Sequence, residues 1–242
     1  MCRIAHGLCY NFPSMNSNSP LKEFLRGIRD EAPILLGVVP FGMIYGMLAL
    51  NAGLTNIEAQ AMSSIVFAGS AQFMAAKLIA ESTPLAIVAV SGFVINLRHA
   101  LYSATLTPYL KGLSMRWKVL LSYLLTDEAF AASIIHFQKN PENPLKQWHL
   151  FGSGILLWSS WQISTAVGIF VGAQIPPEWG LDFALPITFI ALVVPGLKDK
   201  HGILVAVASS ALALLFFGVP FKLGMLIASF AGIAIGVWSE GK

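Results

Sequence analysis

Residues 82–97 read STPLAIVAVSGFVINL, a run without a charged side chain, and the chain continues Arg98-His99-Ala100-Leu101-Tyr102-Ser103. Apolar residues resume after Arg98 and last to Leu110, so the stretch 84–110 exceeds the roughly 20 residues that a helix needs to cross a hydrocarbon core. An arginine so far from either end costs about 2.5 to 3.5 kcal/mol even on insertion scales, so it must face the interior of a bundle and find a partner there. One stretch therefore indicates both a membrane-spanning helix and a polar bundle interior. Charged residues are also absent from 32–57, 59–76, 147–177, 201–221 and 223–239, so the pattern recurs along the chain.

Composition agrees. Of 242 residues, 56% are hydrophobic and 11% charged, about twice the apolar bias over charge of a soluble domain. That balance excludes a soluble enzyme, a nucleic-acid binder and a disordered protein. An outer-membrane barrel is excluded as well, because barrel strands alternate apolar and polar residues whereas these runs are continuously apolar. The net charge of +3 comes from Lys and Arg near the run ends and bears on orientation in the bilayer. Cys2 and Cys9 precede the first run and lack the spaced Cys/His partners of a zinc site. No metal or cofactor is expected.

Residues 1–20 are expected to form a disordered N-terminal extension, with Met15 as an alternative start. From Ser19-Pro20, an N-cap followed by proline at the first helical position, Leu21, Phe24, Leu25 and Ile28 recur opposite Lys22, Glu23, Arg26 and Arg29. This pattern predicts an amphipathic helix lying in the interface over 21–31. Residues 32–242 follow as a single transmembrane domain, with spans near 32–52, 57–82, 84–110, 118–137, 148–175, 183–197, 203–217 and 220–238. The segments 183–197 and 203–217 are short for crossing and could form a re-entrant hairpin. The fold class is an all-α integral membrane protein, a polytopic helical bundle of seven or eight transmembrane segments. Tyr109, Trp117, Trp148, Trp179 and Trp238 fall at run ends as interface anchors.

Gly42-x-x-x-Gly46, Gly53-Leu54 and Gly69 correspond to Gly168-x-x-x-Gly172, Gly180-Leu181 and Gly196 at offsets of 126 or 127. An internal repeat with helices broken near Gly69 and near Pro195-Gly196 would explain the match, and matched breaks point to a transporter's substrate site. The competing explanation is that small residues let helices pack closely.

Three constellations carry the chemistry. In Phe67-Ala68-Gly69-Ser70-Ala71-Gln72-Phe73, small residues and one amide interrupt an apolar run. A break at Gly69-Ser70 would aim helix N–H groups at an anion such as a carboxylate; an unbroken helix with a packing face is the alternative. In Asn96-Leu97-Arg98-His99 with Tyr102-Ser103, the residues Asn96, His99 and Ser103 share a face. Thr126-Asp127-Glu128 supplies the acid for Arg98. Adjacent residues point about 100° apart on a helix, so one carboxylate can pair with Arg98 while the other, or His99, carries a proton. The alternative role for Arg98 is a purely structural salt bridge. His6, His136, His149 and His201 lie at run ends or in tails, where solvated or interfacial positions are expected.

Taken together, Gly37-Val38-Val39-Pro40-Phe41-Gly42, the 67–73 block, Asn96-Leu97-Arg98-His99 with Tyr102-Ser103, and Asp127-Glu128 resemble the AzlC family of branched-chain amino acid permeases, over about 21–238. The resemblance implies the large subunit of a two-part exporter in the bacterial inner membrane, with a small AzlD-type membrane protein as partner and Val, Leu and Ile as substrates. Phe67, Gly69, Ser70, Gln72, Asn96 and Tyr102 are then candidate substrate contacts, and Arg98, His99, Asp127 and Glu128 candidate proton or ion-pair groups. No ATP-binding loop is present, so a proton or ion gradient is the expected energy source. An intramembrane enzyme using His99 with Asp127 is a rival, but neither an HExxH cluster nor a serine or cysteine nucleophile motif is present. A structural assembly subunit is a second rival.

Overall fold

The structure, a computed structural model, describes residues 19–172, 197, 200–219 and 223–240. The described residues are overwhelmingly helical: α1 (Pro20–Glu31), α2 (Leu35–Asn51), α3 (Asn56–Ile65), α4 (Gly69–Ala80), α5 (Leu85–Leu110), α6 (Met115–Leu124), α7 (Asp127–Lys139), α8 (Lys146–Gly172), α9 (Lys200–Leu215) and α10 (Leu223–Glu240). Three helical stretches, Pro20–Asn51, Leu85–Leu110 and Lys146–Val171, are long and apolar enough to cross a membrane. Pro195 and Gly196, and with them the expected break in the second half, lie outside the described residues, as does most of 183–197.

Burial follows the logic of a lipid-facing bundle. Leu36 is 85% exposed and Ile57 82% exposed, while Ser63, Gln72, His149 and Thr165 are fully buried. Apolar side chains face outward to lipid and polar ones turn inward, because only other protein groups can satisfy a hydrogen-bonding side chain in hydrocarbon.

The axis of the bundle is α8, which packs against α1, α2, α3, α6 and α7. Its partner is a nearly continuous helix, since a 3-10 turn at Ala32–Ile34 joins α1 directly to α2. The two run parallel in close register: Gly27 lies against His149, Gly42 against Ser164 and Gly46 against Thr165 and Gly168. A Cβ at Gly27 would collide with the His149 carbonyl, and one at Gly168 with the Met43 carbonyl. Between lipid-embedded helices there is no hydrophobic drive, so association rests on such close approach and on interhelical hydrogen bonds. Of the glycines matched at an offset of about 126, Gly42, Gly46 and Gly168 meet across this seam, whereas Gly69 lies against Trp161 and nothing stands within 4 Å of a Cβ at Gly53; Gly180 and Gly196 lie outside the described residues.

Helix α1 departs from the interfacial expectation. Its acidic face is turned inward, with Glu23, Gly27 and Glu31 buried, while Leu21 and Leu25 are exposed. The reason lies far along the chain, in His136 of α7 and in His149 and Ser153 of α8.

Two of the expected spans are interrupted. Helix α3 ends at Ile65, the chain leaves helical geometry over 66–68, and α4 restarts at Gly69. Helix α6 ends at Leu124, and α7 starts at Asp127 after an extended Thr126. The second interruption stands where the sequence suggested one uninterrupted span, 118–137.

Candidate functional site

Each break is built from its local sequence. At the first, three carbonyls are freed at the end of α3 and must find partners inside the protein. Gln72 Nε2 donates to Val66 O (2.5 Å) and Ser63 O (3.2 Å), and Tyr123 Oη donates to Ser64 O (2.5 Å). Gln162 Nε2 also donates to Ser63 O (3.2 Å). Ala68, the N-cap of α4, contributes no side-chain cap, so the first amides of α4, which have no intrahelical partner, remain open. At the second break, Thr126 does cap its helix: its hydroxyl accepts from Ala129 N (3.3 Å). Asp127 and Glu128 occupy the first turn of α7, where the helix dipole favours negative charge.

Both breaks border one cavity of about 380 Å³. Phe67, Ala68, Gly69 and Ser70 line it from the first break, and Thr126, Asp127 and Glu128 from the second. Arg98 and His99 of α5 form part of its wall, and Val38, Phe41, Phe73, Leu157 and Trp161 supply apolar lining. The size falls within the roughly 300 to 1,000 Å³ of small-molecule sites.

Arg98 bridges the two breaks. Its Nη1 lies 2.8 Å from Asp127 Oδ2, and its Nη2 donates to Ser70 Oγ at 2.5 Å. Of the two acids left open by the sequence, Asp127 holds the arginine, and Glu128 faces the cavity beside it. Arg98 Nε and Asp127 Oδ1 are buried without a hydrogen-bond partner. The cavity wall thus carries a cation and an anion from two helices, Arg98 of α5 and Asp127 of α7, paired with each other.

The remaining candidates divide. Phe67, Gly69, Ser70 and His99 line the cavity, and Gly69 is where the Trp161 indole comes close, 3.0 Å from where a Cβ would stand. Gln72 does not line it: the side chain is fully buried, its amide holds the α3 carbonyls and its Oε1 accepts from Trp161 Nε1 (3.1 Å). Its expected role as a substrate contact is corrected to support of the break. Asn96 lines a neighbouring cavity of about 490 Å³ on the other side of Phe67 and His99, and its Oδ1 is buried without a partner. Tyr102 lies outside both linings, stacked on Phe130 at 4.5 Å and edge-on to His99 at 5.9 Å.

A second polar cluster was missed. His136 Nε2 lies 3.0 Å from Glu23 Oε2, His149 Nε2 lies 3.0 Å from Asp30 Oδ2, and Ser153 Oγ donates to Glu31 Oε2 at 2.5 Å. His136 and His149 are buried, against the solvated or interfacial positions expected. Five ionisable residues in two places, α1 and the helix pair α7 and α8, were the available signal.

Residues 33–175, more than half of the chain, match the family described as AzlC protein. The chain belongs to the AzlC family. Relatives extend the match over most of its length. The "Inner membrane protein YgaZ" of Escherichia coli is 28% identical, covering 88% of this chain and 87% of the relative. An "Uncharacterized membrane protein" of Archaeoglobus fulgidus is 30% identical over 93% and 99%. The "Branched-chain amino acid transport protein AzlC" of Bacillus subtilis is 28% identical over 80% and 79%. No solved structure matches. AzlC membership and these relatives support a role in transport, with the all-helical bundle as a membrane protein.

Proposed function

We propose that this AzlC protein exports branched-chain amino acids across the bacterial inner membrane, driven by the proton gradient and acting with a small AzlD-type subunit. The observation that carries the reading is the meeting of the two helix breaks on one cavity whose wall holds the Arg98–Asp127 pair and Glu128. A zwitterion needs donors for its carboxylate and an acceptor for its ammonium. Arg98 with the open first amides of α4 meets the first need, and Asp127 with Glu128 the second. The apolar wall of Phe41, Phe73, Leu157 and Trp161 takes the branched side chain.

Coupling follows from the charge balance. Asp127 is committed to Arg98, whereas Glu128 faces the cavity and is neutralised either by the substrate ammonium or by a proton. Competition of the two for one carboxylate is the simplest exchange of proton for amino acid, and His99, on the walls of both cavities, is placed to pass the proton on.

The test expresses the chain with and without its partner subunit in cells lacking their own exporters and loads them with a dipeptide containing valine or leucine. Lower intracellular accumulation of the free amino acid only when both subunits are present, abolished by a protonophore, is the expected outcome. Equal accumulation in all strains rejects the proposal. Assay of reconstituted vesicles separates the rivals, since an enzyme gives product without flux and a scaffold gives neither.

A further inference from the structure

We infer that Asp30, His136 and His149, with Glu23 completing the set, form a binding site for a divalent transition-metal ion of the zinc type, clamping α1 to α7 and α8. The ligand atoms of Asp30, His136 and His149 all lie within 4.8 Å of one another. The two imidazoles stack in parallel, with centroids 4.0 Å apart and planes 5° apart. Each turns its Nε2 to a carboxylate oxygen at 3.0 Å, His149 to Asp30 and His136 to Glu23. Tetrahedral zinc with bonds of about 2.0 to 2.2 Å sets its ligand atoms roughly 3.3 Å apart, so closing the set on an ion draws these atoms together from within 4.8 Å and turns one imidazole out of the parallel stack so that both Nε2 atoms converge.

Three further observations favour a metal over a simple pair of ion pairs. One of the other ring nitrogens is already held suitably: His149 Nδ1 lies 3.3 Å from Ser133 Oγ, which can accept its N–H, whereas His136 Nδ1 faces the donor amide nitrogen of Asn140 at 3.4 Å, so ligation by His136 Nε2 requires the Asn140 amide to turn its oxygen to the ring. Metal-bound histidines need such outer partners to fix the ring and free the ligating nitrogen. Glu23 is fully buried, and its second oxygen is anchored by Arg26 at 2.6 Å, as a ligating carboxylate is in turn anchored. Access is also present, because Asp30 and His136 line a cavity of about 370 Å³ with Arg29, Pro33, Ala132, Ile135 and Lys139, and the Asp30 side chain is 42% exposed. Imidazole with carboxylate suits zinc, and cobalt as its spectroscopic substitute, better than calcium or magnesium. Sequence spacing hides the set, since Asp30 and His149 are 119 residues apart.

Full-length protein in detergent, with Cys2→Ser, Cys9→Ser and His6→Ala to remove other ligands, is stripped with a chelator and titrated with Co²⁺. The visible absorption of tetrahedral cobalt, saturating at one equivalent per chain and displaced by Zn²⁺, is the expected result. Loss of an outer partner weakens metal sites about 10- to 100-fold, and His149→Gln, which removes a ligand, should cost at least about 100-fold. Asp30→Cys changes an exposed side chain and keeps a ligand, so it should add a sulfur-to-cobalt charge-transfer band whether or not the histidine variant folds. Absence of a saturable tetrahedral spectrum, or no charge-transfer band in folded Asp30→Cys protein, overturns the site.

Discussion

The seam between the joined helices α1 and α2 and helix α8 differs in kind from the two interrupted spans that flank it. Along the seam, glycines bring backbones into contact and polar side chains find partners in adjacent helices: Ser63 with Thr165 at 3.1 Å and Gln60 with Gln162 at 2.8 Å link α3 to α8 just beside it. At the breaks, Arg98, Asp127 and Glu128 stand in the wall of a cavity instead; buried atoms without a partner occur in both regions, Glu31 Oε1 and Gln60 Oε1 in the frame and Arg98 Nε and Asp127 Oδ1 at the breaks. The lesson is a division of labour. Close packing of backbone on backbone makes a frame that resists rearrangement, whereas the breaks gather charged side chains in the wall of a cavity that a ligand can enter.

The most damaging way to break this contrast is to unbalance the site. Arg98→Ala leaves Asp127 uncompensated, which for buried pairs costs about 3 to 5 kcal/mol. The lower end applies here, since the two side chains are 29% and 31% exposed. Protein accumulation in membranes should fall sharply, Asp127→Asn should restore part of it, and Glu128→Gln should not. Rescue by Glu128→Gln instead would reverse the assigned roles of the two acids.

Next in size is the frame. Gly46→Ala presses a methyl group on the Thr165 carbonyl, an overpacking expected to cost about 1 to 3 kcal/mol and to lower the melting temperature in detergent. Gly37→Ala, with nothing within 4 Å of its Cβ, is the matched control and should leave melting unchanged. If both melt alike, the seam is not what holds the bundle.

Gln72→Leu separates support from substrate contact. It removes one donor from each of the Val66 and Ser63 carbonyls, which keep Ala68 N and Gln162 Nε2 as donors, and it strands the buried Trp161 indole N–H, an unsatisfied group costing about 1 to 3 kcal/mol. Stability should drop while substrate affinity of the surviving protein stays near the parent's. The smallest effect expected is that of Tyr123→Phe, which removes the donor to Ser64 O and the acceptor of Trp158 Nε1, two bonds each worth about 0.6 kcal/mol for a typical hydrogen bond between membrane helices. A measured loss of several kcal/mol would place Tyr123 with the frame rather than the break.

These sites were legible in the sequence to different degrees. Arg98 stood out because a charge inside an apolar run must have a partner, and the same cost singled out Asp127 and Glu128. The first break was visible in Gly69-Ser70, although the structure starts α4 at Gly69 and places the irregular turn at 66–68. The second break carries neither glycine nor proline. Its only mark is Thr126 followed by two acids, an N-cap with an acidic first turn, which hydropathy overrode. The role of Gln72 could not be read, because which carbonyls need a donor depends on where the chain leaves the helix. Glu23 and Glu31 misled for a related reason, since an acidic helix face looks the same whether it meets water or two distant histidines.

The inward acidic face of α1 also has a consequence in time. Glu23 meets His136 across 113 residues of chain, and Glu31 meets Ser153 across 122. At translation rates of about 5 to 20 residues per second, the first helix waits roughly 6 to 25 s for its partners to be made. During that interval its polar face has no protein to face, and an amphipathic helix in that state rests most favourably at the membrane surface. The surface helix read from residues 21–31 then describes the nascent chain, and docking onto α8 is a late step of assembly. A chain halted before α8 should accordingly be cut by trypsin at Arg26 or Arg29, and the complete chain should resist.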